Sequence, residues 1–256
     1  MVKVERDQTA VENYLKTLFG ITEWDSTLSP TTAQVATGLG VTPSSVSSMV
    51  NKLAALGYVE HERYGAIELT KAGRVKAMSV VRRHRLLETY LVRALGFGWD
   101  EVHDEAEVLE HAVSNLMVER MDAALGYPWR DPHGDPIPTA NGVFHQPVAW
   151  RLSELEQGET GYIARISDDD PDMLRYFQDH AIGLDSAVTI VERRPFGAST
   201  RIEVQADKGP EPHDLGELAL DSLWVTRKPP LPRELSAEGC TYPDCRHAAF
   251  ATGRTS

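Results

Sequence analysis

Between residues 31 and 69 the chain spaces its helix breakers so closely that few folds remain open to it. After the Ser29-Pro30 break, a short segment places Val35, Ala36 and Leu39 on one helical face. Gly40 permits a tight turn, and Thr42-Pro43 then opens a second helix, threonine as N-cap and proline as first helical residue. The spacing predicts that this helix buries Val46, Met49, Val50, Leu53 and Leu56, and that Gly57 ends it. Tyr58 to Glu62 and Ala66 to Leu69 then read as short strands joined by Arg63-Tyr64-Gly65, a β-hairpin. An earlier helix carries Val11, Tyr14, Leu15, Leu18 and Phe19 at the 3.6-residue period. This order predicts a winged helix-turn-helix over residues 1–74.

The solvent face of the helix that Thr42 opens holds Ser44, Ser45, Ser47, Ser48, Asn51 and Lys52. Short hydroxyls, an amide and a cation can lie in a major groove of double-stranded DNA and touch phosphates and base edges. The net charge of −12 argues against a nucleic-acid partner, but its distribution reverses that. Lys and Arg slightly outnumber Asp and Glu in the first third, while the rest carries the acidic excess, leaving one basic face for DNA. The competing reading is a generic helical pair with an exposed serine-rich face.

Residues 75–144 are predicted helical. Thr70 caps a long helix to Leu95 that carries Val80, Leu86, Leu87, Tyr90 and Leu91, and Gly96-Phe97-Gly98 breaks it. One further helix is expected to carry Val102, Ala106, Leu109, Val113, Leu116, Met117 and Met121, more apolar surface than two helices cover, so a homodimer is expected. On this helix His103, Glu107, Glu110 and His111 fall at i, i+4, i+7 and i+8, one face. Carboxylates and imidazoles grouped within a turn suit a divalent cation of intermediate hardness. The run Asp131-Pro132-His133-Gly134-Asp135-Pro136-Ile137-Pro138 reads as a stiff linker; its acids and histidine also admit a metal loop, though turn-rich composition favours the connection.

Residues 145–226 change to strand patterning, at 161–166, 187–192 and 200–204, with a last short strand or two at 218–220 and 223–225. A helix with Met173, Leu174, Tyr176 and Phe177 interrupts them, and so many short strands predict a small barrel. The tail, 227–256, has Pro229-Pro230-Leu231-Pro232 and little periodicity, and is expected to be disordered. Its Cys240-x4-Cys245-x-His247 lacks a fourth zinc ligand. No apolar run approaches the roughly 18–20 residues of a membrane span and no signal-peptide core begins the chain, so the cytoplasm is the expected location. Two cysteines give no disulfide framework.

Taken in order, the winged pattern, Arg83-His84-Arg85-Leu86-Leu87-Glu88, the stretch from His103 to His111 and the Asp-Pro-His-Gly-Asp-Pro-Ile-Pro run resemble the DtxR family of metal-dependent repressors. The likeness spans residues 9 to 226 and is strongest to the manganese-responsive, MntR-like branch with three domains. It implies a mainly helical protein with an SH3-like (FeoA-like) barrel at 145–226, and a homodimer that represses metal-uptake genes from a palindromic operator when metal-loaded. It also implies a primary metal site at Glu107, Glu110 and His111 with Asn13 of the first helix. Where this chain has Glu107 and Asn13 the iron-responsive branch has Cys and Met; oxygen donors favour Mn2+, with Fe2+ the alternative. The manganese branch has Asp where this chain has Asn13, and the neighbouring Glu12 points elsewhere on the helix. An ancillary site is implied at His84, Glu88 and His103 with Asp170 of the barrel. Lys16 occupies the place of a Glu that bridges paired ions in some relatives. Thr42, Pro43, Ser44 and Ser48 would face bases, and Ser45 and Ser47 phosphates. Two other classes compete: a metallohydrolase built on Glu-x-x-Glu-His, for which no nucleophile motif or phosphate loop is present, and a regulator of an organic ligand in which the His/Glu set is structural. No catalytic residue is expected.

Overall fold

Thr31 and Gln34 cap each other's backbone at the start of the second helix, and Gly40 closes that helix in the left-handed conformation at φ 62°. These two signals set the frame of the first of two compact units, Met1–Arg83 and His84–Ser256, in a computed structural model that describes residues 2–24, 28–61, 65–194, 199–206 and 209–229. Arg63 and Tyr64 of the expected wing tip, and the tail with Cys240, Cys245 and His247, lie outside the described residues.

The first unit runs α1 (Val2–Glu23), α2 (Thr32–Leu39), α3 (Pro43–Ala55), β1 (Val59–His61) and β2 (Ile67–Leu69), then enters α4 (Lys71–Tyr90). The strands pair antiparallel, His61 opposite Ile67. Leu15, Leu18 and Phe19 of α1 are buried with Val35, Val46, Leu53 and Ile67. Leu56, expected in this core, is instead the C-cap of α3 and stays 52% exposed. The Thr70 hydroxyl accepts from the Gly73 N–H at 3.1 Å and so starts α4.

Glu12 is buried, with Lys76 Nζ at 2.5 Å and Arg83 Nη2 at 3.1 Å. Burial alone would raise its pKa; hydrogen bonds from Lys76 and Gln8 and the charges of Arg83 and Lys76 outweigh it, and the value falls to about 2 from 4.5. A depressed folded-state pKa stabilises fully above about pH 4.5 and is lost as pH falls toward 2, a contribution of about 3 kcal/mol. Urea unfolding of wild type and Glu12→Gln should therefore differ by about 3 kcal/mol at pH 7, with the gap more than halved by about pH 3. A gap independent of pH would assign the loss to packing rather than charge.

In the second unit α4 ends in one wide turn, Leu91–Leu95, stopped by Gly96 at φ 75°. The single long helix expected after it is two: α5 (Val102–Leu109) and α6 (Asn115–Ala124). Ser114 makes the break, its hydroxyl accepting from the Met117 N–H at 3.2 Å as a helix N-cap. Glu110 keeps helical geometry as the C-cap of α5, its N–H bonded to Ala106 O at 2.9 Å, and His111 follows in the turn. Leu86, Leu87, Leu91, Val102, Ala106, Val118, Met121 and Ile137 form the helical core.

The run read as a stiff linker is not one. Asp131, His133 and Asp135 are buried, and Ile137 belongs to the core. Arg85 Nη1 donates to Pro136 O at 2.7 Å, and Ile166 N–H to His133 O at 2.8 Å. Gly134 sits at φ 98°, where a Cβ would come within 2.1 Å of Ala164 O, so only glycine lets this strap lie on the sheet. Its proline, glycine and aspartate residues made it look like a spacer because turn chemistry, not periodicity, holds it.

The rest of the unit is β3 (Trp150–Arg151), β4 (Thr160–Ile166), α7 (Pro171–Asp179), β5 (Ala187–Arg193), β6 (Thr200–Ala206), β7 (Gly209–Leu215), α8 (Glu217–Asp221) and β8 (Leu223–Thr226). The strands pair antiparallel in the order β3-β8-β4-β5-β6-β7, with register shifts at Ile163/Arg165 and Ile190/Glu192 that bend the sheet around its core. Ile163, Ile166, Val188, Ile190, Ile202, Val204, Leu223 and Val225 fill that core with Leu174 and Phe177 of α7. Residues 218–220, expected as strand, lie in α8, and β7 is a strand the sequence pattern did not show. Among the described residues no helix is long and apolar enough to cross a membrane.

Candidate metal centre

His84 is the hub. As the first residue of the second unit it holds Glu110 Oε2 at 2.8 Å with Nδ1 and Glu88 Oε1 at 2.9 Å with Nε2. Glu88 reaches it because i and i+4 share a face of α4. Glu110 reaches it because the C-cap of α5 still follows the helix. His103 Nδ1 stands 3.3 Å from Glu88 Oε1 and 3.2 Å from Asp168 Oδ2, and its Nε2 lies 3.7 Å from Glu107 Oε1. His111 Nε2 is 3.2 Å from Glu110 Oε1. Seven of the expected residues and their barrel neighbour thus divide clearly. His84, Glu88, His103, Glu107, Glu110 and His111 come together in the second unit, Asn13 lies in the first unit, and Asp170 stands apart.

Asp170 caps α7, its carboxylate accepting from the N–H groups of Asp172 at 3.0 Å and Met173 at 3.2 Å. Asp168, two residues earlier, is the barrel carboxylate beside His103. Arg165 flanks it at 3.8 Å.

The electrostatics are those of a cation site. His84, Glu88 and Glu110 are buried. Burial would raise the carboxyls of Glu88 and Asp168, but facing histidines, and Arg165 beside Asp168, hold both well below the usual range. Burial would likewise lower His103; hydrogen bonds to Asp168 and Glu88 overcome it and push the ring up to about 11. The His103 imidazole is thus pressed to carry positive charge between anions. Donor atoms of His84, Glu88 and His103 lie within 4.8 Å of one another, as do those of His84, Glu107 and Glu110. Imidazole and carboxylate without thiolate fit Mn2+, Fe2+ or Zn2+. In the first unit, Asn13 Oδ1 is buried with no hydrogen-bond partner among the described residues, an acceptor that a cation would satisfy.

The expected DNA-reading residues stand at the start of α3. Thr42 is its N-cap and Pro43 its first residue, and Thr42 Oγ1 lies 2.9 Å from both Ser44 Oγ and Ser45 Oγ. Ser47 back-bonds to Pro43 O at 3.1 Å. Thr42, Pro43, Ser44, Ser45, Ser47 and Ser48 are all exposed.

Three family models match the chain in succession. Residues 8–67 match the family described as iron dependent repressor, N-terminal DNA binding domain. Residues 70–139 match iron dependent repressor, metal binding and dimerisation domain, and residues 150–209 match the FeoA domain. The iron-dependent repressor IdeR of Mycobacterium tuberculosis is 31% identical over 216 residues, covering 80% of this chain and 93% of that protein. A solved structure described as a manganese-dependent transcriptional repressor in complex with manganese is 47% identical over 84% of this chain and 98% of its own, with a TM-score of 0.80. The manganese regulator SloR is 30% identical over 85% of this chain and 98% of its own, with a TM-score of 0.69. With family models matching residues 8–67, 70–139 and 150–209, and a relative 31% identical along 93% of its length, the chain belongs to the DtxR family of metal-dependent transcriptional repressors.

Proposed function

We propose that this protein is a Mn2+-dependent repressor, binding a palindromic operator in double-stranded DNA as a homodimer and controlling metal-uptake genes in the cytoplasm. The observation that carries this reading is the cluster around His84, in which oxygen and imidazole donors converge with no sulfur ligand among the described residues. Asn13 joins Glu107, Glu110 and His111 as the primary set, and His84, Glu88 and His103 with Asp168 form the ancillary set. A bound divalent cation supplies the positive charge that lets these carboxylates share one place. Asn13 lies on α1 of the DNA-binding unit, so its engagement ties that unit to the carboxylates of the second. The two recognition helices of a dimer then sit about 34 Å apart, one DNA turn. Val108, Leu116 and Met117 stay exposed on the helical region and supply apolar surface for the dimer. Fe2+ is the second reading, favoured by the iron-dependent relative at 31% identity.

The test is fluorescence anisotropy of the chelated protein on a candidate palindrome, titrated with Mn2+ and, without oxygen, Fe2+. Binding that appears at micromolar Mn2+ and disappears in Glu107→Ala is the expected result. A preference for Fe2+ keeps the switch and changes the metal; binding that ignores chelation removes the switch.

The ancillary set has its own discriminating pair. Asp168→Asn should weaken Mn2+ binding by about 10- to 100-fold with little effect on folding. Asp170→Asn should leave metal affinity alone, since asparagine caps helices nearly as well as aspartate. Equal metal affinities for the two variants would remove Asp168 from the set.

A further inference from the structure

His133 is completely buried in the strap, and its Nε2 lies 3.1 Å from Trp99 O. A carbonyl only accepts, so Nε2 carries the proton. Nδ1 is then the ring's lone-pair nitrogen, and it is buried with no hydrogen-bond partner among the described residues. Donor atoms of His133, Glu88 and Asp131 lie within 4.8 Å of one another, and all three side chains are buried. Asp131 Oδ1 is occupied by the N–H groups of His133 and Asp135, each at 2.9 Å, which fixes the carboxylate in the strap. Arg85 Nε stands 3.7 Å from Asp131 Oδ2, an ion pair with that oxygen.

An imidazole lone pair and two carboxylates buried together, with no donor to that nitrogen among the described residues, form a pocket of electron pairs that asks for a cation. An imidazole whose second nitrogen donates to a backbone carbonyl is the arrangement of a metal-bound histidine, oriented by its outer partner. The strap is held rigidly, because Gly134 lies against Ala164 O and Arg85 is bonded to Pro136 O at 2.7 Å. We infer that Glu88, Asp131 and His133 form a further, buried site for a first-row divalent cation, sharing Glu88 with the His84 and His103 set. Nitrogen among the donors selects a transition metal over Mg2+ or Ca2+.

Two measurements test this on the full chain, with Mn2+ as the probe. Crystals soaked in Mn2+ should show anomalous scattering at the manganese edge between Glu88, Asp131 and His133. Peaks confined to the other sets would overturn the inference. Equilibrium dialysis should find one ion fewer per protomer in Asp131→Asn than in wild type; asparagine still accepts the two strap N–H groups, so the fold is kept. Unchanged stoichiometry in Asp131→Asn also overturns it. Glu107→Ala reports separately: if it keeps the wild-type count while Asp131→Asn loses an ion, the proposed switch fails and this site stands.

Discussion

Glu110→Gln should abolish Mn2+-dependent DNA binding in a protein that remains folded. Glu110 is completely buried, with one carboxylate oxygen 2.8 Å from His84 Nδ1 and the other 3.2 Å from His111 Nε2. Glutamine has the same shape and its amide oxygen still accepts from His84. What it removes is the charge, and with it most of the attraction for a divalent cation. Loss of an outer partner of a metal ligand already costs about 10- to 100-fold in affinity, so loss of a charged ligand should cost on the order of 100-fold or more. The readout that separates this from a structural role is thermal. Wild type should gain about 2.7 kcal/mol of stability at Mn2+ 100-fold above its Kd, and Glu110→Gln should gain almost none at the same concentration. If the variant melts lower but is stabilised by Mn2+ as wild type is, Glu110 is a buried structural acid and the assignment fails.

Much of this was legible because breakers and periods coincide. Thr42-Pro43, Gly40 and Gly57 bracket α3 with the residues its ends require, and the apolar period of α1 is its buried face. The His103–Glu107 and His84–Glu88 spacings are helical facts that no distant contact had to supply. What failed was tertiary. Ser114 reads as one more polar residue in an apolar period until its cap is seen to cut the helix. The strap was misjudged because its residues are buried by contacts with β4, not by any pattern of their own. β7 escaped notice because Pro210 and Pro212 disfavour a strand; it is the end strand of the pairing order, where proline is tolerated. The choice of Asp170 over Asp168 had a usable signal: Asp170-Pro171 directly precedes the apolar period of Met173, Leu174 and Phe177, so aspartate as N-cap and proline as first helical residue commit that carboxylate to the backbone.

Metal uptake at the ancillary set should release protons, and the apparent affinity should rise about tenfold per pH unit for each proton released. Burial opposes charge on His103, yet Asp168 and Glu88 hold its ring protonated up to about 11. At neutral pH the proton is therefore present, and a ring nitrogen cannot hold a proton and a metal together. The direction follows: as pH falls the ring keeps its proton more firmly against the metal, and Mn2+ binding weakens. Because the ring titrates near 11, no plateau is expected between about pH 6 and 8.5. Calorimetric titrations with Mn2+ in two buffers of different ionisation enthalpy count the protons directly. Wild type should release about one more per protomer than His103→Asn, whose amide has no proton to give up. Equal counts in the two proteins would mean that His103 keeps its proton when metal binds, leaving it as a charge partner of Asp168 and Glu88 rather than a ligand.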